Sequence, residues 1–227
     1  MILASHQPNF FPYLGFFYNM IKSDVFVFSD DVKFAKKNFQ NYTNIKSTSG
    51  KILRLTVPVH FHEEKIKDIK IAEDDNWRRK IFESIKQSYS KSKYFEKYIE
   101  DVKEILTADY ENLVDLNLKT IFFLKTAFKI QTKTVLGSVL SAEGHKDDRI
   151  INLCKKVNAD IYYSGLGAKA YHVEENYKKN KICLKYTDYK PFVYNQPYYD
   201  FIPNLSSLDF LFNCGEDLPK EWFYGKK

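Results

Sequence analysis

Ile2-Leu3-Ala4-Ser5-His6-Gln7-Pro8-Asn9-Phe10-Phe11-Pro12, followed by Asp24-Val25-Phe26-Val27-Phe28-Ser29, decides the fold. The apolar run 2–5 reads as a buried strand. The segment 6–12 cannot be helical, because each proline pushes the residue before it towards extended geometry. Pro12 suits the first turn of a helix, and Leu14, Phe17, Tyr18 and Ile21 then fall at helical spacing. Residues 24–29 make a second strand that ends in Asp30-Asp31. A strand, a polar turn, a helix and a strand within about 30 residues form a βαβ unit, which requires a parallel pair and a right-handed crossover.

Working outward, 51–59 reads as a third strand, with Pro58 at its end or at a sheet edge. Three helices are predicted over 75–90, 94–107 and 111–129. Trp77, Ile81, Phe82 and Ile85 share one face of the first, and Leu113, Leu116, Thr120 and Phe123 one face of the last. Alternation then returns: a strand at 132–136, a helix at 148–157 and a strand at 160–164. Gly165-Leu166-Gly167 turns into a short helix, and a strand follows at 182–187. The segment 188–203 is irregular and rich in Pro and Tyr, and 206–212 is a last short helix. The expected fold is α/β, a Rossmann-like, mostly parallel sheet flanked by helices. It forms one domain over 1–227, with an α/β core at 1–70 and 130–227 and a helical insertion or cap around 75–129.

The 227 residues are 44% hydrophobic and 17% aromatic, with 8 Gly and 7 Pro, which excludes a low-complexity or disordered chain. A globule of this size hides roughly 72% of the surface its unfolded chain exposes. Lys and Arg number 35 against 29 Asp and Glu, a net charge of +6. The basic residues are scattered rather than gathered into a tract, which argues against a nucleic-acid stripe and is compatible with a phosphorylated small molecule. The start of the chain has no basic n-region, and no 18-residue apolar stretch occurs, so a cytoplasmic protein without membrane insertion is expected. Cys154, Cys183 and Cys214 form no CxxC, and neither a disulfide framework nor a thiolate zinc site is implied. The five His form no HExxH, and His60-x-His62 lacks a third ligand, so no metal site is expected.

Ligands of open parallel sheets bind beyond the carboxyl ends of the strands. Three polar clusters fall there: His6-Gln7-Pro8-Asn9, Ser29-Asp30-Asp31 and Ser164-Gly165-Leu166-Gly167-Ala168-Lys169. Their loops are expected to converge on one pocket. Asn, Asp, Ser and Gly end strands in every fold, and for Asp30-Asp31 turn chemistry and function both stand. A turn needs neither an imidazole nor a carboxamide, however, which marks His6 and Gln7 as functional. Gly165-x-Gly167-x-Lys169 can cradle a phosphate, but it is neither a Walker A loop nor GxGxxG, which disfavours a dinucleotide. Ser164 precedes a glycine without a GxSxG elbow, which disfavours a Ser-His-Asp hydrolase. The aromatic residues sit at core spacing rather than as an RNA-stacking platform.

Together these clusters make the chain resemble the WbqC-like family, found among bacterial O-antigen and other surface-polysaccharide biosynthesis genes. The resemblance runs through essentially the whole length. It rests on His6-Gln7-Pro8-x-x-x-Pro12-x-x-Gly15, Asp24-Val25-Phe26-Val27-Phe28-Ser29-Asp30-Asp31-Val32-Lys33-Phe34, Phe39-Gln40-Asn41 and Thr56-Val57-Pro58-Val59. It continues in Arg149-Ile150-Ile151-x-Leu153, Tyr163-Ser164-Gly165-x-Gly167-Ala168-Lys169-x-Tyr171 and Phe201-x-Pro203-x-Leu205-Ser206-x-Leu208-Asp209. The family's Trp-Gln-Asn-Arg is Phe39-Gln40-Asn41-Tyr42 here, without the arginine.

The resemblance implies transfer of a glycyl or related aminoacyl group to the amino group of a dTDP- or UDP-linked dideoxy amino sugar. Such a reaction needs a free-base nitrogen and a stabilised oxyanion. His6, Gln7, Asp30 and Asp31 would be the catalytic set: His6 takes the proton, Gln7, Asn9 or the N–H groups around Gly165–Gly167 hold the oxyanion or phosphates, and the aspartates orient the amine or a metal. Asn9, Lys37, Gln40, Asn41, Ser164, Gly165, Gly167, Lys169, Tyr194, Gln196 and Asp209 would bind substrate. The donor must arrive activated, by ATP, on an acyl-carrier protein or as aminoacyl-tRNA; the first of these matches a fold analogy with adenylate-forming nucleotidylyltransferase-like domains. The rival reading is a non-catalytic sugar-nucleotide-binding or scaffold subunit, and the oligomeric state stays open.

Overall fold

A computed structural model describes residues 1–35, 38–60, 64–74 and 76–224. The βαβ unit opens the chain: β1 (Ile2–His6), α1 (Leu14–Ile21) and β2 (Val25–Phe28), with Leu3 opposite Val25 and Ser5 opposite Val27 in parallel register. An antiparallel hairpin follows, β3 (Tyr42–Lys46) and β4 (Ile52–Thr56), and then α2 (Asn76–Tyr89), α3 (Phe95–Thr107) and α4 (Leu113–Ala127). Alternation resumes with β5 (Lys133–Leu136), α5 (Gly137–Leu140), α6 (Lys146–Lys156), β6 (Ile161–Ser164), a 3-10 turn (Leu166–Tyr171), α7 (Glu174–Lys179) and β7 (Cys183–Tyr186). The last α-helix is α8 (Ser207–Cys214).

The main sheet has the order β5-β2-β1-β6-β7, and every pair in it is parallel. The chain builds outward from β1 through β2 to β5, then returns to the other side of β1 for β6 and β7. Alternate side chains of each strand feed two cores, as the pleat requires. Ala4, Phe26 and Phe28 join the larger one, with α1, α2, α3, α4 and α8. Leu3, Val25 and Val27 join the smaller one, against Ile151, Leu153 and Cys154 of α6 and Tyr177 of α7. The helices of 76–127 therefore complete the same apolar cluster as the inner strands; Tyr89 and Phe95, for example, lie with ring centroids 5.2 and 5.5 Å from that of Phe212.

Two departures from the expected elements have physical causes. The strand expected at 51–59 is shorter and lies outside the main sheet, because it pairs with Tyr42–Lys46. That partner escaped the sequence reading because Asn41 and Asn44 dilute its β signal. Second, α1 is buried on every side, Asn19 included, rather than on one apolar face. It is roofed by the carboxyl-terminal segment, where Trp222 meets the Tyr18 ring at 5.1 Å. Among the described residues, no helix is long and apolar enough to cross a membrane.

Candidate functional site

The strand order reverses between β1 and β6, which leaves a crevice beyond their carboxyl ends where the flanking loops diverge. The loop leaving β1 enters this crevice under strain. Phe11 is a fully buried aromatic with φ of 40°, in a region costly for a bulky side chain. Pro12 behind it adds a second steric restriction. The conformation holds because it is gripped from three sides. The Phe11 N–H donates to Thr120 Oγ1 of α4 at 3.1 Å, and its carbonyl accepts from Thr43 Oγ1 of β3 at 2.9 Å and Ser206 Oγ at 3.0 Å. Ser206 is also the N-cap of α8. Just upstream, Asn117 of α4 donates from Nδ2 to the carbonyls of Pro8 (2.9 Å) and Gln40 (2.7 Å).

This grip fixes His6. Its Nδ1 lies 2.8 Å from the carbonyl of Gln7, which can only accept, so Nδ1 carries the proton and Nε2 presents a lone pair. Among the described residues Nε2 has no hydrogen-bond partner. The Phe16 ring packs edge-on at 5.1 Å. Burial lowers the His6 pKa from its ordinary value of 6.5, outweighing the Gln7 carbonyl, which raises it. The imidazole is thus a neutral base at neutral pH. The sign of the linkage follows: below pH 6.5 the unfolded chain binds the extra proton first, so this histidine subtracts stability as pH falls from 6.5 through its lowered folded pKa.

His6 and Gln7 stand in the wall of two cavities. The first, about 500 Å³, is lined by Asn9, Asn38, Asn44, Asn204, Thr43 and Ser206 with Phe10, Pro12, Tyr13 and Phe39; no lining residue among those described carries a formal charge. Among the described residues, the buried Asn44 Oδ1 has no partner. The second, about 380 Å³, is lined by the charged Lys146, Asp147 and Arg149 of α6, the last paired with Asp31, together with His172, Ser5, Ser29 and Val32. Residues from the loops after β1, β2 and β6 therefore face one cleft.

The sequence-predicted residues divide accordingly. Asn9 lines the first cavity. Gln40 is fully buried and donates from Nε2 to Gln7 Oε1, while Asn41 donates to the Val57 carbonyl. Asp30 accepts from the Ser138 N–H (2.8 Å) and hydroxyl (2.5 Å), holding the first turn of α5, and Asp31 is ion-paired with Arg149. Both carboxylates are thus engaged by protein groups at the rim of the cleft. Gly165 and Gly167 flank the start of the 3-10 turn, and a methyl added at either would meet nothing within 4 Å. Lys169 extends over the Tyr186 ring rather than lining the cleft. Tyr194 and Tyr89 donate to the buried Asp209, each at 2.8 Å, and Gln196 brackets the backbone of Ile202; none of Tyr194, Gln196 and Asp209 lines either cavity. Lys37 and His62 lie outside the described residues.

Three positions beside the site, Asn117, Asp147 and His172, and the partners of Ser164 escaped the sequence reading. Asn117 left a signal, a polar residue beside Thr120 among the apolar positions of α4, but what it grips is 77 and 109 residues away. The rest concern one relay: Ser164 Oγ lies 3.0 Å from His172 Nε2, and His172 Nδ1 lies 2.7 Å from Asp147 Oδ1. Ser164 was read only as a binding residue, and no spacing rule joins 147, 164 and 172. Asp147 also accepts from the Val173 N–H (2.9 Å), Tyr177 OH (3.0 Å) and Asn176 Nδ2 (3.4 Å). Burial alone would push the Asp147 pKa up, but these bonds, His172 first, hold it below the ordinary carboxylate value.

The sequence model of the WbqC-like protein family matches residues 7–221. The chain is 29% identical over 223 residues to the uncharacterized protein Rv1507c of Mycobacterium tuberculosis (strain ATCC 25618 / H37Rv), covering 96% of this chain and 95% of that protein. No solved structure matches it.

Proposed function

The chain belongs to the WbqC-like protein family, and from that premise we propose that it is an enzyme transferring a glycyl or related aminoacyl group to the amine of a nucleotide-linked amino sugar. The observation that carries the reading is the neutral His6, its Nε2 lone pair unengaged among the described residues, standing between an uncharged carboxamide-lined chamber and a charged one that Lys146 lines. The two chambers suit the two halves of such a substrate. Asn and Gln side chains both donate and accept, which matches sugar hydroxyls and the amide edges of a base, and Phe39 and Tyr13 supply ring faces. Lys146 offers a charge for a phosphate in the second chamber.

A sugar amine must shed its proton before it can attack, and His6 Nε2 takes that proton. Gln7 Oε1 is occupied by Gln40, so its NH₂ group is left to donate towards a developing oxyanion. Asp30 and Asp31 brace the cleft through Ser138 and Arg149 rather than touching the amine. The donor is an aminoacyl group activated by ATP, by a carrier protein or by tRNA.

The test is mass spectrometry of dTDP- and UDP-amino sugars incubated with the protein, glycine and each donor class. A nucleotide sugar heavier by one glycyl residue supports the reading. Tight binding of the nucleotide sugar without any product would make the protein a binding subunit. Because burial lowers the His6 pKa, the acid limb of kcat/KM is expected below pH 6.5. An acid limb above 6.5 in a pH–rate profile would remove His6 as the base.

A further inference from the structure

The relay of Asp147, His172 and Ser164 is assembled from three elements: the first turn of α6, the segment after the 3-10 turn and the last residue of β6. A carboxylate accepts and cannot donate, so His172 Nδ1 carries the proton that faces Asp147, with the Tyr177 hydroxyl 2.9 Å from the same nitrogen. In the neutral imidazole Nε2 then accepts the Ser164 hydroxyl proton, for which the Gly165 carbonyl at 3.3 Å is the other acceptor. Support of the 172–177 segment does not require this arrangement, because Asp147 already holds that segment through the Val173 N–H and Tyr177. A buried carboxylate–imidazole pair is costly to assemble, and a hydroxyl set on its far nitrogen is the arrangement that activates a nucleophile. The position agrees. Ser164 ends the strand across the reversal from β1, and His172 and Asp147 line the same cleft as His6. The serine itself is 1% exposed and lines neither cavity, but it is followed by Gly165 and Gly167, where an added Cβ would meet nothing within 4 Å.

We infer that Ser164 is a nucleophile, activated by His172 and oriented through Asp147, that carries the acyl group as an ester between the donor and the amine. This rests on the acyl-transfer reading above. The donor is an activated carboxylic ester or thioester. In the first half-reaction Ser164 Oγ bonds to the acyl carbon, its proton moves to His172 Nε2, and the donor's alcohol or thiol leaves with that proton. In the second, the free-base amine attacks the ester carbon. The C–N bond forms and the C–Oγ bond breaks, and the proton shed by nitrogen returns through His172 to Oγ. His6 removes the earlier proton, the one that turns the ammonium into an amine, so the two histidines have separate tasks.

A fluorophosphonate probe tests the nucleophile without any knowledge of the substrate. Attack by Oγ forms a P–O bond and expels fluoride. Incubation of the full chain with the probe, digestion and peptide mass spectrometry should place one adduct on Ser164. Ser164→Ala should abolish the adduct with an unchanged melting temperature, and His172→Gln should slow labelling at least about 100-fold. Folded wild-type protein that acquires no adduct on Ser164, or a folded H172Q protein labelled at the wild-type rate, would overturn the inference. The two readings fail separately. Glycyl transfer by a protein that the probe leaves untouched refutes the acyl-serine alone, and labelled Ser164 without transfer to any amino sugar refutes the transfer reaction alone.

Discussion

His6→Ala is expected to lower turnover by about 10²-fold or more, the scale of a lost acid–base group, while leaving the fold intact. The expectation rests on how little else the imidazole does. Among the described residues it makes one hydrogen bond, to its neighbour's carbonyl, and one ring contact, to Phe16. The loop around it is held independently by Asn117, Thr120, Thr43 and Ser206. Because His6 destabilises the fold below pH 6.5, removing it should raise the melting temperature slightly at pH 5 relative to wild type. The checks are steady-state kinetics on the substrate found by mass spectrometry, with circular dichroism melts at pH 5 and 8. Near-wild-type turnover at unchanged stability would reduce His6 to a turn residue. Gln7→Ala should instead raise KM more than it lowers kcat.

Asn117→Leu is expected to be the most damaging substitution outside the cleft. Leucine matches asparagine in size but donates nothing, so the carbonyls of Pro8 and Gln40 would be left buried and unpaired. Each such loss costs about 1–3 kcal/mol, so about 2–6 kcal/mol is expected together. In a domain of this length that lowers Tm by roughly 4–24 °C. Thermal melts and urea titration measure it. The same change frees the loop bearing His6, so activity should fall further than the folded fraction alone explains. A variant that kept wild-type Tm would show that water or a shifted loop replaces the asparagine.

Much of this architecture was legible in the residues. The βαβ opening, the three helices between 75 and 129 and the later alternation follow from proline, charge and apolar periodicity, which are local signals. The helices settle within a few residues of the expected 75–90, 94–107 and 111–129. The hairpin partner at Tyr42–Lys46 was hidden because asparagines dilute its own β signal, so that only its pairing with Ile52–Thr56 reveals it. The importance of His6 and Gln7 was visible because both are chemically superfluous in a turn. Asp30 and Asp31 looked the same in sequence, yet the structure gives them Ser138 and Arg149 as partners, 108 and 118 residues away. The relay of Asp147, Ser164 and His172 was invisible for the same reason: no periodicity encodes a meeting of three loops.

The grip on the first loop also bears on how the chain can be made. Ser206 Oγ reaches back 195 residues to the Phe11 carbonyl, and the Ser207 N–H donates to the carbonyl of Pro12. The loop after β1 thus gains these two bonds only once α8, some 195 residues further on, has been made. Until then an aromatic-rich segment waits without its roof, exposed to aggregation and to chaperones. Contacts of such sequence separation also predict slow folding for the size. A chain truncated before Ser206 would keep the grips of Thr120, Thr43 and Asn117 on this loop but lose the two that α8 supplies.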